Sequence, residues 1–375
     1  MHTMPDFQVL TLEGSPRERG QIHGEALKPK ILEFLGGWKE GLGKATGMNP
    51  KKYLEQFVEE TGFLAAVERW APDLLEEVRG IADGCGVDSK TIFANQLADE
   101  EWWYRREKKL RPASREPKSC SGLGIFGQED GRPLLAQNMD VPDCYDGYQV
   151  LLHVKDPASP VESFVFTAAG FIALNGLNNR SVGICCNTLA QLNHATDGLP
   201  VAFIVRTVLA QSSQKDAIDF IHRIKHASGQ NYIIGGPQEI LDFECSAGKV
   251  RQFAPNPGAT RVYHTNHPLV NDDQEMFGEM LKKLSPEQRH RMDAGQTNSR
   301  ARFDFLENQL SDISEAITVE KIKAILSSHQ VPVCRDRKKG RGLTLGCSIV
   351  ELSSPPVLHL APGPPCSTAF HRFTF

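Results

Sequence analysis

The cysteine at position 120 lies where a cut in the chain would release a nucleophile. It follows a polar, basic, proline-containing segment (111–119) and opens a short apolar run, and Ser121 and Gly122 leave room around its sulfur. The thiol can attack the preceding carbonyl, that of Ser119, and an N-to-S shift then breaks the chain. The freed α-amine has a reference pKa of about 8 and can act as the general base. The alternative is that Cys120 is a small residue in an ordinary strand.

An aspartate follows the next strand of the chain. Residues 120–126 and 134–138 are predicted strands joined by a Gly- and Pro-containing turn at 128–133, which indicates a hairpin. This pairing brings Asp140 back alongside Cys120. The alternative is that Asp140 is a turn residue before Val141 and Pro142.

The elements that must position these residues are helical first and then mixed. Apolar spacing and capping signals predict helices in the first hundred residues, starting after Ser15. Strands and helices alternate later, with predicted helices at 202–211, 215–226, 299–310 and 319–328, and closing strands at 343–352 and 356–360. Helices followed by hairpin-rich sheets indicate an α+β protein with layered sheets, in a single domain over residues 1–375.

The composition argues against several classes of protein and of binding partner. The formal net charge is −4, which argues against nucleic acid as a partner, and no run approaches the length of a membrane span. The N-terminus has no apolar signal region, so we expect a cytoplasmic protein. None of the nine cysteines forms a Cys-x-x-Cys pair, and we expect neither a disulfide framework nor a metal site.

Short blocks in a fixed order give a more specific indication. The chain resembles the acyl-coenzyme A:6-aminopenicillanic acid acyltransferase family of self-cleaving N-terminal-nucleophile hydrolases over about nine tenths of its length. The blocks are GSP at 14–16, GQIHG at 20–24, RWAP at 69–72, GIADG at 80–84, SCS at 119–121, LLAQNMD at 134–140, NGLN at 175–178, NTL at 187–189, GLP at 198–200, GQNY at 229–232, HTNH at 264–267, SRAR at 299–302 and RGLT at 341–344.

The resemblance implies a fold and a set of catalytic residues. The fold is a four-layer αββα sandwich, cut into a small chain, 1–119, and a large catalytic chain, 120–375. Cys120 is implied to be the nucleophile, and Asp140 to hold its new α-amine. Asn266 matches the asparagine that stabilises the oxyanion. Serine stands at 119 where the best-known members have glycine.

Supporting residues follow from the same blocks. Arg341 matches an arginine near the family's active site, and Ser299 and Arg302 match a helix-start motif. Either arginine could pair with Asp140 or with a substrate carboxylate. The alternative is a capping serine and an ordinary salt bridge. Ser121 is expected beside the nucleophile.

Other polar residues at strand ends are weaker candidates. Asn187 and Asn231 could polarise a substrate amide. His264 and His267 flank Asn266, and we expect a structural or substrate-contact role for them, because an N-terminal nucleophile needs no histidine base. No carboxylate or further histidine stands at ligand spacing from this pair.

The expected activity is hydrolysis of a linear amide of an N-acylated amino acid or amine through a thioester on Cys120, without a cofactor. The alternatives are an acyl-coenzyme A-dependent N-acyltransferase, and an uncleaved, catalytically silent protein that binds an acyl ligand. The expected partner is a small N-acyl substrate. After cleavage, we expect the small chain and the large chain to bind each other. The sequence leaves a homo-oligomer open.

Overall fold

The computed structural model describes residues 7–108, 119–128, 131–336 and 342–375. The helices are α1 Pro16–Ala26, α2 Lys28–Thr46, α3 Pro50–Glu59, α4 Phe63–Trp70, α5 Pro72–Cys85, α6 Ser89–Gln96, α7 Ala98–Glu107, α8 Val201–Val208, α9 Gln214–Arg223, α10 Glu275–Lys282, α11 Pro286–Leu310 and α12 Val319–Leu326.

The strands are β1 Gln8–Glu13, β2 Ser121–Ile125, β3 Leu134–Val141, β4 Gln149–Lys155, β5 Glu162–Ala168, β6 Asn175–Asn178, β7 Gly183–Thr188, β8 Gln230–Gly235, β9 Ile240–Cys245, β10 Val250–Phe253, β11 Arg261–His264, β12 Leu343–Glu351, β13 Val357–Ala361 and β14 His371–Thr374. They form an eight-stranded sheet, in the order β1-β4-β5-β6-β7-β8-β9-β10, and a six-stranded sheet, in the order β11-β2-β3-β12-β13-β14.

The two sheets pack face to face, and helices cover both outer faces. Alternation along β4 shows the arrangement, because Leu151 packs between the sheets whereas Val150 and Leu152 pack against the helices of the N-terminal half. The outer face of the six-stranded sheet packs on α11 and α12. These layers are the predicted αββα sandwich.

Helices α1 and α5 cross unusually closely, and two of the glycine-containing sequence blocks meet there. A Cβ on Gly20 would lie 2.0 Å from the carbonyl oxygen of Glu77, and one on Gly80 would lie 2.1 Å from that of Arg17. Larger residues at these positions would force the helices apart. The crossing fixes the helical layer behind the eight-stranded sheet.

Most predicted elements are confirmed, including the β2–β3 hairpin, in which Ser121 pairs with Asn138. One helix boundary was wrong. Ser299 is not a helix start, because α11 begins thirteen residues earlier at Pro286, where Ser285 and Gln288 form a capping box. The first part of α11 is mostly exposed, so it lacks the apolar spacing that would have indicated it. The sequence analysis also missed β1, which pairs in parallel with β4. Among the described residues no helix is both long and apolar enough to cross a lipid bilayer.

Candidate active site

Cys120 immediately precedes β2 and is buried. Its Sγ lies 3.6 Å from Sδ of Met139 and 3.7 Å from the backbone carbonyl oxygen of Asp140. Met139 and Cys120 belong to the core between the two sheets. The thiol therefore points into the space between the sheets and lies next to the end of β3.

Gly122 lies two residues further along β2, on the same face as the thiol. A Cβ at this position would lie 2.9 Å from the side chain of Ile233 on the opposite sheet. The absence of a side chain thus lets the two sheets approach closely beside Cys120. Gly122 was expected to leave room around the sulfur, and in the structure that room is taken by Ile233 of the facing sheet.

Asp140 lies beside Cys120, but its carboxyl is on the other face of the six-stranded sheet, because alternate residues of β3 face opposite sides. Its Oδ1 accepts a hydrogen bond of 2.6 Å from Oγ1 of Thr344, and its Oδ2 lies 3.4 Å from Nε of Arg335. Burial raises the pKa of Asp140 to about 6, although Arg335, Thr344 and Arg302 each oppose this. This carboxyl therefore titrates close to neutrality.

Arg302 connects several of the predicted site residues. Its Nη1 donates to the carbonyl oxygen of Cys120 at 2.6 Å and to Oγ of Ser121 at 2.9 Å, and its Nη2 donates to Oδ1 of Asn266 at 3.0 Å. Burial lowers the pKa of this arginine to about 10, so it stays charged at neutral pH. A buried guanidinium with three such bonds fixes the backbone on the C-terminal side of Cys120.

Asn266 follows β11 and is only partly buried. Its Nδ2 donates to the carbonyl oxygen of Thr188 at 3.0 Å, and its backbone N–H donates to Oγ of Ser299. An amide nitrogen carries two hydrogens. One of them holds the side chain against β7, and the other is available for a further hydrogen bond.

Asn187 has its amide fully engaged in holding the strands together. Its Nδ2 donates to the carbonyl oxygens of His264 and Thr265, at 2.8 and 3.1 Å, and its Oδ1 accepts from Gln137 at 2.9 Å. Both amide hydrogens are thus bound to backbone carbonyls in this structure. The geometry favours a scaffolding role over direct contact with a substrate.

The two histidines beside Asn266 have different surroundings. His264 is buried, with Nε2 2.9 Å from Oε1 of Glu244. Burial opposes the charge of His264, but the Asp242 and Glu244 carboxyls outweigh it and raise the pKa. His267 has Nδ1 2.9 Å from Oγ of Ser299, and burial lowers its pKa to about 4.

Asn231 and Asp242 lie buried next to each other on β8 and β9, facing the six-stranded sheet. Burial raises the pKa of Asp242 to about 7, and the nearby charge of His264 opposes this. The Asn231 amide also opposes this rise in the pKa of Asp242. Asn231 thus belongs to a polar cluster between the sheets that includes His264.

Arg341 lies outside the described residues. The arginine that the structure brings to Asp140 is Arg335, which the sequence analysis missed, together with Thr344 and Asn298. Oδ1 of Asn298 accepts from Nε of Arg302 at 3.1 Å. Thr344 belongs to the RGLT block, which was the available signal for it. Nothing in the local sequence distinguished Arg335 from other basic residues. Among the described residues, no set of metal ligands surrounds Cys120.

Two face-to-face sheets between helical layers, with a cysteine at the head of an inner strand, define the architecture of the N-terminal-nucleophile hydrolases. A family model described as acyl-coenzyme A:6-aminopenicillanic acid acyl-transferase matches residues 127–360. The chain therefore belongs to this family, and it is an enzyme of the amide hydrolase or acyltransferase type. Cys120 itself lies just before the matched residues.

One relative agrees with this assignment over most of the chain. The acyl-coenzyme A:6-aminopenicillanic-acid-acyltransferase 40 kDa form of Emericella nidulans is 26% identical over 346 residues, which is 90% of this chain and 87% of the relative. Solved structures with a TM-score of 0.43 include an N-acylethanolamine-hydrolyzing acid amidase ortholog of Caenorhabditis elegans, 15% identical, covering 63% of this chain and 94% of that one. Penicillin V acylase from Agrobacterium tumefaciens also has a TM-score of 0.43, is 11% identical, and covers 68% of this chain and 85% of that one. These overall similarities are low, and the fold assignment rests on the layers described above.

Proposed function

We propose that the chain cuts itself between Ser119 and Cys120 and that Cys120 then hydrolyses linear amides of N-acylated amino acids or amines. The observation that carries the proposal is the position of Cys120 at the head of β2, with its Sγ 3.7 Å from the carbonyl oxygen of Asp140. The small chain, 1–119, and the large chain, 120–375, would stay associated through the shared αββα core.

The surroundings of Cys120 support both steps. Arg302 bonds to its carbonyl oxygen, so the backbone after the nucleophile is held rigidly. The backbone of Asp140 lies next to Cys120, and continuing the β2–β3 register would place Asp140 opposite Ser119. A carboxylate there, oriented by the hydroxyl of Thr344, would hold the new α-ammonium group and set the direction of the amine lone pair.

The first step replaces the amide bond between Ser119 and Cys120 with a thioester. Sγ of Cys120 attacks the carbonyl carbon of Ser119, the C–N bond breaks, and the thiol proton goes to the departing nitrogen. The result is a thioester between Ser119 and Cys120 and a free α-amine. Water then hydrolyses the thioester, which leaves a carboxylate on Ser119 and the thiol of Cys120.

The second step repeats this chemistry on a substrate. The α-amine takes the thiol proton, the thiolate attacks the acyl carbonyl, and the developing oxyanion accepts the free amide hydrogen of Asn266. Collapse expels the substrate amine, which takes the proton from the α-ammonium group. Water hydrolyses the acyl-Cys120 thioester and releases the acid.

The second candidate is acyl transfer from coenzyme A to an amine. The name of the Emericella nidulans relative, an acyl-coenzyme A-dependent acyltransferase, favours this alternative. The two reactions share the thioester and differ in what attacks it. Release of amine from an N-acyl substrate without coenzyme A supports hydrolysis, whereas amide formation only in the presence of acyl-coenzyme A supports transfer.

The test uses Cys120→Ala with a matched control. Cys185 is a second buried cysteine of the core between the sheets, and burial raises its pKa well above the ordinary thiol value. We expect the wild type and Cys185→Ala to release amine from a panel of N-acyl amines and N-acyl amino acids, and Cys120→Ala to release none. Equal activity of Cys120→Ala would contradict the proposal. The cytoplasmic location and the oligomeric state stay predictions.

A further inference from the structure

We propose that His329, Cys334 and Cys366 form a zinc-binding site, separate from Cys120. One ligand atom from each of the three residues lies within 4.8 Å of the others. Cys334 and Cys366 are 32 residues apart in the sequence, so the fold brings them together. The expectation of no metal site rested on Cys-x-x-Cys spacing, which this arrangement does not use.

The distances suit a small tetrahedral cation. Zinc binds thiolate sulfur at about 2.3 Å and imidazole nitrogen at about 2.0 Å, so ligand atoms of one tetrahedral ion lie roughly 3.5–3.8 Å apart. Cys334 is buried, whereas His329 and Cys366 are exposed. The two exposed side chains can rotate to shorten the remaining separation of roughly 1 Å, and water would supply the fourth ligand.

The ligand set identifies the class of metal. Two thiols and an imidazole are soft and borderline donors, which favour Zn²⁺ over Mg²⁺ or Ca²⁺. Binding requires both thiols to lose their protons, and the two thiolates then neutralise the charge of the cation. Zn²⁺ has no redox chemistry, so no oxidant or reductant is needed.

The site would join two segments at the edge of the active centre. The backbone N–H of Cys334 donates to the carbonyl oxygen of Ser328 after α12, and Cys366 lies in the turn after β13. The residue after Cys334 is Arg335, whose guanidinium lies beside Asp140 and whose backbone N–H donates to Oγ1 of Thr344. A metal bound here would therefore stiffen the segment that carries Arg335.

The experiment uses the full-length Cys120→Ala chain. An N-terminal cysteine can itself chelate metals through its amine and thiolate, and this variant removes that second site. The reduced, metal-free protein is titrated with Zn²⁺ against a chromogenic chelator and, separately, with Co²⁺, whose visible spectrum reports tetrahedral thiolate ligation. The comparison variants on this background are Cys366→Ser, His329→Gln and, as a control, Cys144→Ser.

We expect one equivalent of Zn²⁺, a thiolate-ligated Co²⁺ spectrum and a higher melting temperature with metal. Cys366→Ser and His329→Gln, both at exposed positions, should bind at least about tenfold more weakly, whereas Cys144→Ser should bind as the parent does. Absence of stoichiometric binding, or equal binding by the Cys366 and His329 variants, would overturn the proposal. Because all chains lack Cys120, neither result depends on the catalytic assignment.

Discussion

The hydroxyl of Thr344 should set the pH at which the enzyme loses activity in acid. It donates a 2.6 Å hydrogen bond to Asp140, whose pKa is raised to about 6 by burial. A hydrogen bond to a charged group stabilises it by about 1.5–3 kcal/mol, and one pKa unit corresponds to about 1.4 kcal/mol. Thr344→Val should therefore raise the pKa of Asp140 by roughly one to two units.

The sign of the effect follows from the proposed role of the carboxylate. Asp140 holds the α-amine of Cys120 only when ionised, so activity falls as pH falls through its pKa, and a higher pKa moves this loss to higher pH. The α-ammonium of the cleaved enzyme lowers the pKa of Asp140 in both proteins, so the difference between variants is the informative quantity.

The assay is the pH profile of kcat/KM for amine release by wild type, Thr344→Val and Thr344→Ser. The acid limb of Thr344→Val should lie about one unit or more above that of the wild type, whereas Thr344→Ser, which keeps the hydroxyl, should match the wild type. Melting temperatures check that all three are folded. An unshifted acid limb in folded Thr344→Val would refute the reasoning.

Three further predictions concern neighbouring groups. In uncleaved Cys120→Ala, the folded chain binds the proton of Asp140 more tightly than the unfolded chain does. This stabilises the fold fully below the pKa of Asp140 in the unfolded chain, and the stabilisation is lost as pH rises through about 6. The loss is about 3 kcal/mol, and urea titrations should show it absent in Asp140→Asn. Arg302→Lys should slow fragment formation at least about tenfold, since an ammonium lacks the planar fork that reaches Cys120, Ser121 and Asn266 together; unchanged fragment yield would count against this role. Asn266→Ala should lower kcat by about 10²–10³-fold with little change in KM, and a change confined to KM would indicate binding instead.

Local signals in the sequence were sufficient to predict the elements around Cys120. The turn at 128–133 and the apolar runs beside it predicted the β2–β3 hairpin, and that hairpin brought Asp140 to Cys120. The start of α11 was missed because capping at Ser285 precedes a mostly exposed stretch. Hydrophobic periodicity reports burial on one face, and an exposed helical segment provides none.

Contacts between residues that are far apart in the sequence could not be predicted. Arg335 stands 195 residues after Asp140 and meets it because its backbone N–H bonds to Thr344 on β12, which pairs with β3. The His329, Cys334 and Cys366 cluster likewise depends on the turn after β13. In the αββα fold, the residues around Cys120 come from strands and helices far apart in sequence, and spacing rules apply only within one element.

The most direct test of the account is the N-terminal sequence of the fragments from freshly purified protein separated under denaturing conditions. The account predicts two chains of 119 and 256 residues, the two parts of the 375-residue chain, with the larger beginning at Cys120. Cys120→Ala should give a single full-length chain. A wild-type protein that is fully active as one uncut chain, or a large fragment that begins elsewhere, would contradict the central claim.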